Sequence, residues 1–418
     1  MTMRANRIAG LASAIAEIRP LSEPADTLLH RYFRKHPALG QQDRAFIADG
    51  VFAFLRRRRS LETLAQTSNP RQLALAVAVR ELGLGVRELE SVLSSADAEW
   101  LRAFKARLST PLAPAIAADL PDWLWERLGR AFGDAGRESL ARAFLAAAPL
   151  DLRVNPLKTT REDARHALEA SGIAASPTPY SPLGLRVRGR PALATHALFT
   201  SGAIEVQDEG SQLVGYLVAP KRSEMVVDFC AGAGGKTLLL GALMRSQGRL
   251  YAFDTQERRL AKLKPRLARS GLSNVHPQVI ARERDARVRR LAGKIDRVLV
   301  DAPCTGFGTL RRNPDLKWRQ GESSVSELAR KQAAILDAAA TLVKPAGRLV
   351  YATCSVLPDE NEDVVDAFLA AHPGFARGNA AAELARAGIA LDTGPALKLL
   401  PHVHGCDGFH ATVLERIG

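Results

Sequence analysis

Through the first third of the chain, apolar residues recur at intervals of three and four. Segments 43–55 and 70–82 show this most clearly, and such spacing lines one face of an α-helix. Alanine and leucine, both good helix formers, dominate this part, and no strand-like alternation interrupts it, so residues 1–145 read as an all-helical domain. The pattern changes at about residue 146. Segments 150–154 and 183–187 alternate as half-buried strands do, and 159–172 between them reads as a helix opened by a capping threonine. Residues 146–222 therefore read as a small α+β insert. From 223 onward, short apolar runs at 225–229, 249–253, 275–280, 297–300 and 348–353 alternate with helical segments. The clearest of these helices spans 325–343. Ser324 and Glu327 supply a capping box, and Pro345 and Gly347 a stop. Such alternation predicts an α/β fold for residues 223–418, with a doubly wound, mostly parallel, Rossmann-like sheet.

Length and composition narrow this picture. The 418 residues suit two or three domains, and 46% of them are hydrophobic, enough for sizeable cores. No apolar run is long enough to span a bilayer, and the amino-terminal stretch lacks a signal-peptide core; a cytoplasmic location without membrane contact is expected. Cys230, Cys304, Cys354 and Cys406 are widely spaced with no C-x-x-C pair, which argues against a disulfide framework or a metal site. The formal net charge is +14, unevenly spread: Arg245 to Arg297 holds fifteen basic and five acidic residues, whereas Tyr351 onward holds four basic and nine acidic. A local basic surplus points to a polyanionic partner such as RNA. The run Arg56-Arg57-Arg58-Arg59 fits either that role or a helix C-terminus complementing its dipole.

Candidate chemistry gathers at the strand ends, where open α/β sheets bind ligands. The first apolar run leads into Cys230-Ala231-Gly232-Ala233-Gly234-Gly235-Lys236. Its glycines permit a tight turn and a close backbone approach, but the spacing is not that of a P-loop. Asp254 ends the next strand, where a carboxylate suits a ribose diol, and the pair indicates a cofactor containing adenosine. Asp301-Ala302-Pro303-Cys304 and Thr353-Cys354-Ser355 follow two further strands. Two thiols facing such a site suggest covalent catalysis on a pyrimidine. A thiolate adding at C6 makes C5 enamine-like, able to attack a methyl sulfonium. Asp301 is the candidate partner for N3 of the ring. Arg311, Arg312 and Lys317 follow Cys304 closely enough to lower a thiol pKa. Spacing does not choose between Cys304 and Cys354 as nucleophile. A non-catalytic RNA-binding protein would need no thiol pair, a DNA cytosine-5 methyltransferase usually carries a long late insert, and a dehydrogenase would need other glycine spacing.

These motifs, with Pro358-Asp359-Glu360-Asn361-Glu362, Val206-Gln207-Asp208-Glu209-Gly210-Ser211-Gln212 and Leu152-Arg153-Val154-Asn155, resemble the Sun (Fmu) family of RNA cytosine-5 methyltransferases. The helical segment from Gln42 through Arg59 is similar to the NusB-like region of that family's bacterial 16S ribosomal RNA members. The resemblance implies a class I Rossmann-like methyltransferase domain that uses S-adenosyl-L-methionine and acts on RNA, with ribosomal RNA expected, and a monomer without metal. It implies Cys354 as nucleophile and Cys304 as the residue that helps release product. Residues 230–236 would hold the methionine part of the cofactor, Asp254 the ribose, Asp285 the adenine, and Asp301 would lie between cofactor and base. The chain departs from the family with Gly232 and Ala233 where alanine and proline are common, with Arg284 where a glycine usually precedes the aspartate, and with His410 where an aromatic is common.

Overall fold

A computed structural model describes residues 5–418. The chain forms two compact units. One takes residues up to 147 together with 310–322, the other 148–309 with 323–418.

The first unit is helical throughout its described residues. In its first helix, Ala5–Ile18, the residues Ile8, Leu11, Ile15 and Ile18 recur at helical spacing and are all buried. They pack with Ile47, Val51, Phe54 and Leu55 of the helix Gln41–Ala65, and with Leu73 and Val77 of Pro70–Arg80. The arginine run does not end a helix. Gln41–Ala65 continues through it, with a kink at Arg57 (φ −115°, ψ 19°). At the kink Trp318 Nε1 donates to the Leu55 carbonyl at 2.7 Å and Lys317 Nζ to the Arg56 carbonyl at 2.8 Å. Donors inserted into the helical ladder are a recognised cause of kinks. The arginines have partners within the unit: Arg56 on Arg311 O, Arg57 beside Glu81, Arg58 on Glu62, and Arg59 on Asp122. Asp122 is the first residue of the helix Asp122–Phe144, and Pro121 stands in the capping position.

The second unit holds two sheets. The smaller has the order β2-β3-β1-β4, with β1 Leu150–Val154, β2 Ala175–Pro177, β3 Gly184–Val187 and β4 Ile204–Val206, all antiparallel. The helix Arg161–Ala170, capped by Thr160, supplies Ala164 and Leu168 to its core. The larger sheet runs β10-β12-β9-β8-β5-β6-β7, with β11 also paired to β12. Its parallel part is β5 Met225–Asp228, β6 Arg249–Asp254, β7 Val275–Val279, β8 Ile295–Asp301 and β9 Val343–Thr353. The strands β10 Phe375–Arg377, β11 Ala396–Leu399 and β12 Phe409–Arg416 add an antiparallel edge.

Successive strand residues point to opposite faces, and both faces are buried. Val226, Leu299 and Val350 join one core, while Val227, Val300 and Tyr351 join the other. The helix expected at 325–343 spans Glu322–Ala340. Ser324 is therefore inside it and forms no capping box; Glu322 supplies the acidic first turn that the dipole favours. Val343 belongs to β9 because it pairs with Ile295 of β8, so Pro345 and Gly347 lie in that strand and not at a helix end.

Candidate active site

The chain leaves β5 at Asp228 and turns through the glycine loop into the helix Gly235–Leu243. Gly232 and Gly234 have φ of +55° and +83°, a region that side chains with a Cβ avoid. Asp254, ending β6, accepts the Gly232 N–H at 2.8 Å and the Gln256 N–H at 2.7 Å, joining loop and strand. Two arginines hold the loop carbonyls: Arg153, of the Leu152–Asn155 motif, donates to Gly235 O at 2.7 Å, and Arg266, outside the motifs, to Ala233 O at 2.6 Å. Arg153 is so deeply buried that its pKa falls to about 10. Beyond the ends of β6 and β7 lies a cleft of about 540 Å³ lined by Thr255, Glu257, Gln278, Ile280, Ala281 and Arg287, among others. Asp285 caps the short helix Ala286–Arg289 and shapes that cleft. Its oxygens accept the Ala281 N–H at 2.9 Å and the Arg287 N–H at 2.8 Å, and these donors lower its pKa.

The adjacent parallel strands β8 and β9, in register at Asp301 and Ala352, end in the two thiol loops. Cys304 Sγ and Cys354 Sγ lie 3.4 Å apart. Asp301 accepts Lys236 Nζ at 2.7 Å, which ties the glycine loop to the thiol side. The same ammonium stands 5.2 Å from the centre of the Phe409 ring. Burial lowers the lysine's proton affinity, but Asp301 outweighs it and the net shift is upward. The Cys304 thiol is raised well above its ordinary pKa by the hydrogen bond to Cys354, by burial and by the charge of Glu360. No cation figures in that balance; Lys317 donates instead to Arg56 O inside the helical unit. Asp228 is buried, which pushes its pKa to about 7. Thr237 Oγ1 donates to its Oδ2 at 2.6 Å, and its Oδ1 has no hydrogen-bond partner. Cys230 packs beneath the loop with its pKa raised by burial, and Cys406 is buried in the core.

Thus Cys304, Cys354, Asp301 and Lys236 share one cluster. The glycine loop and Asp254 adjoin it, and Asp285 joins only through the wall of the cleft. Among the described residues no group of three or more potential metal ligands occurs, and no helix is long and apolar enough to cross a membrane. The sequence reading missed Arg266 and Gln332, and quoted Arg153, Glu360 and Asn361 only within motifs, without a role in holding the site. A polar Gln332 on the apolar stripe of Leu328, Ile335 and Leu336 was a readable signal.

A parallel sheet with a glycine loop and an acidic residue at consecutive strand ends is the frame of a Rossmann-like domain for an adenosine-containing cofactor, and the family match makes it a class I methyltransferase domain. The family model for 16S rRNA methyltransferase RsmB/F matches residues 215–415, and that for the RsmF/B-like ferredoxin-like domain matches 120–193. A Synechocystis protein named "Probable ribosomal RNA small subunit methyltransferase B" is 32% identical, over 94% of this chain and 95% of its own. The ribosomal RNA small subunit methyltransferase B of Serratia proteamaculans is 37% identical, over 69% of this chain and 64% of its own. The crystal structure of PH0851 matches all of both chains with a TM-score of 0.80 and 27% identity. The chain belongs to the RsmB/F family of 16S rRNA methyltransferases, and it is a methyltransferase whose family uses S-adenosyl-L-methionine.

Proposed function

We propose that this chain methylates C5 of a cytosine in ribosomal RNA through a transient bond between Cys354 and C6. The observation that carries the reading is the sulfur pair, 3.4 Å apart at neighbouring strand ends and bordered by Asp301 and Lys236. The residues present fit the cofactor. The helix Gly235–Leu243 turns its free N-terminal amides toward the loop, where a carboxylate would be favoured. Asp254 keeps acceptor capacity for hydroxyls, and a Cβ at Gly235 would have nothing closer than 3.7 Å, which leaves room for a ligand. Gly232 to Lys236 would hold the methionine part, Asp254 the ribose, and the cleft at Thr255, Ile280 and Ala281, braced by Asp285, the adenine. When bound, the cofactor supplies an electrophilic methyl group.

The hydrogen bond to Cys354, burial and the charge of Glu360 all raise the Cys304 pKa, which suits Cys304 to donate its S–H while Cys354 attacks. The Cys354 sulfur lone pair forms the bond to C6 while the ring electrons move onto N3, which would take a proton from solvent, held there by the Asp301 carboxyl group tied to the Lys236 ammonium. After C5 is methylated, its proton passes to water, the C5–C6 double bond re-forms, the Cys354 sulfur leaves with the electron pair and N3 returns its proton to solvent. The Cys304 S–H, one hydrogen bond away, stabilises that departing thiolate. Exposed Arg258, Arg282, Arg284, Arg289 and Arg290 of the basic stretch are available to RNA phosphates, and residues 1–145 and 146–222 would add RNA contacts.

The test uses labelled S-adenosylmethionine with small-subunit ribosomal RNA and, separately, DNA. RNA should be labelled and DNA not. Cys354→Ala should abolish labelling, and Cys304→Ala should trap a slowly migrating protein–RNA adduct. Labelling that survives Cys354→Ala would reject the nucleophile, and bisulfite sequencing names the cytosine.

A further inference from the structure

The turn Pro358–Glu360, four residues beyond Cys354, places two consecutive buried polar side chains between the thiol loops. Glu360 is fully buried. Its Oε1 accepts the Thr305 N–H at 2.8 Å and Gln332 Nε2 at 3.0 Å, and its Oε2 accepts the Thr305 hydroxyl at 2.5 Å. Gln332 Nε2 also donates to Pro303 O at 2.9 Å. Cys304 is therefore held through the residue before it and the residue after it. Asn361 does the same for Cys354: its Oδ1 accepts the Thr353 hydroxyl and its Nδ2 donates to Ser355 O at 3.2 Å. The Tyr351 hydroxyl donates to Glu360 O at 2.5 Å and anchors the turn to β9.

A buried carboxylate without partners is costly, and an apolar side chain would fill the same space. A carboxylate here does two things that an apolar group cannot. It collects donors from two separate elements, and its charge adds to the forces that keep the proton on Cys304. We infer that Glu360 and Asn361 are positioning residues, each chiefly clamping one of the two thiol loops, which touch each other through Thr305 Oγ1 and Ser355 Oγ at 3.3 Å: Glu360 sets the Cys304 loop for product release and Asn361 the Cys354 loop for attack. The inference rests on the covalent mechanism proposed above.

A division of labour of this kind separates two kinetic steps, which a merely structural role would not do. Single-turnover methylation of small-subunit ribosomal RNA is measured together with the amount of denaturation-resistant protein–RNA adduct. Misplacing one reacting group by about 1 Å can cost on the order of a hundredfold, so effects of at least about tenfold are expected. Glu360→Ala should accumulate adduct and slow turnover while the first methyl transfer stays near the wild-type rate. Asn361→Ala should slow the first transfer without accumulating adduct. Glu360→Gln keeps an oxygen for the Thr305 N–H and Gln332, reverses the bond with the Thr305 hydroxyl, and loses the charge. It should fold as the wild type does, form little adduct and move the alkaline limit of turnover to lower pH, because Cys304 then gives up its proton more readily. Loss of both steps in equal measure in Glu360→Ala and Asn361→Ala, or an unchanged pH profile in Glu360→Gln, would overturn the clamp. Cys354→Ala and Cys304→Ala run alongside: if they fail to block methylation and to trap adduct respectively, the covalent reading itself falls, whatever the clamp variants do.

Discussion

Gly234 shows how one residue carries a site. Its φ of +83° suits glycine, and a Cβ there would sit 2.2 Å from Leu263 Cδ1. Holding a non-glycine residue in this region costs about 1–3 kcal/mol. Gly234→Ala should therefore lower the melting temperature and weaken S-adenosylmethionine binding in a calorimetric titration; wild-type binding would show that the loop tolerates a side chain. At this scale the sequence was informative. Gly232, Gly234, Asp254, Asp301, Cys304 and Cys354 were read from motif and strand-end position, and the structure places them at or just past strand ends, because a strand's last residue lies at the rim whatever the rest of the fold does. Arg153 and Glu360 stood in quoted motifs, but their roles were not read. Their importance lies in distant carbonyl and amide partners, Gly235 and Thr305, which sequence separation conceals.

Elements were legible where periodicity was strong and uncertain at their ends. The helix predicted at 325–343 begins at Glu322 and ends at Ala340, since Val343 is claimed by β8. The arginine run looked like a helix end but is the inside of a kinked helix whose freed carbonyls are taken by Lys317 and Trp318. Lys317 is deeply buried, and this lowers its pKa from 10.5 to about 7. Between those two values the unfolded chain binds the proton that the folded chain has released, so this residue makes stability rise as pH rises from about 7 to about 10. Melting temperatures across that range should climb more steeply in the wild type than in Lys317→Met. Parallel curves would show that the lysine stays charged when folded.

The whole molecule carries a formal charge of +14, concentrated in one stretch of sequence. An electrostatic footprint on RNA makes affinity fall linearly on a logarithmic salt scale. Binding to small-subunit ribosomal RNA should weaken by at least about tenfold between roughly 50 and 200 mM potassium chloride; a flat profile would mean that the basic stretch does not meet phosphate. Compactness at this scale was the least readable from sequence. Residues 310–322 follow the Cys304 loop directly in the chain, yet they are packed in the helical unit and not in the sheet unit that flanks them.

What the sequence determined by itself was the set of elements and the chemistry at their ends. Period-two and period-3.6 patterns are local, and glycine, proline and cysteine act where they stand. The tertiary structure alone decided that two sulfurs 50 residues apart meet at 3.4 Å. It also decided which buried side chains hold them. Those outcomes depend on strand order, burial and partners brought from elsewhere in the chain, and no local pattern encodes them.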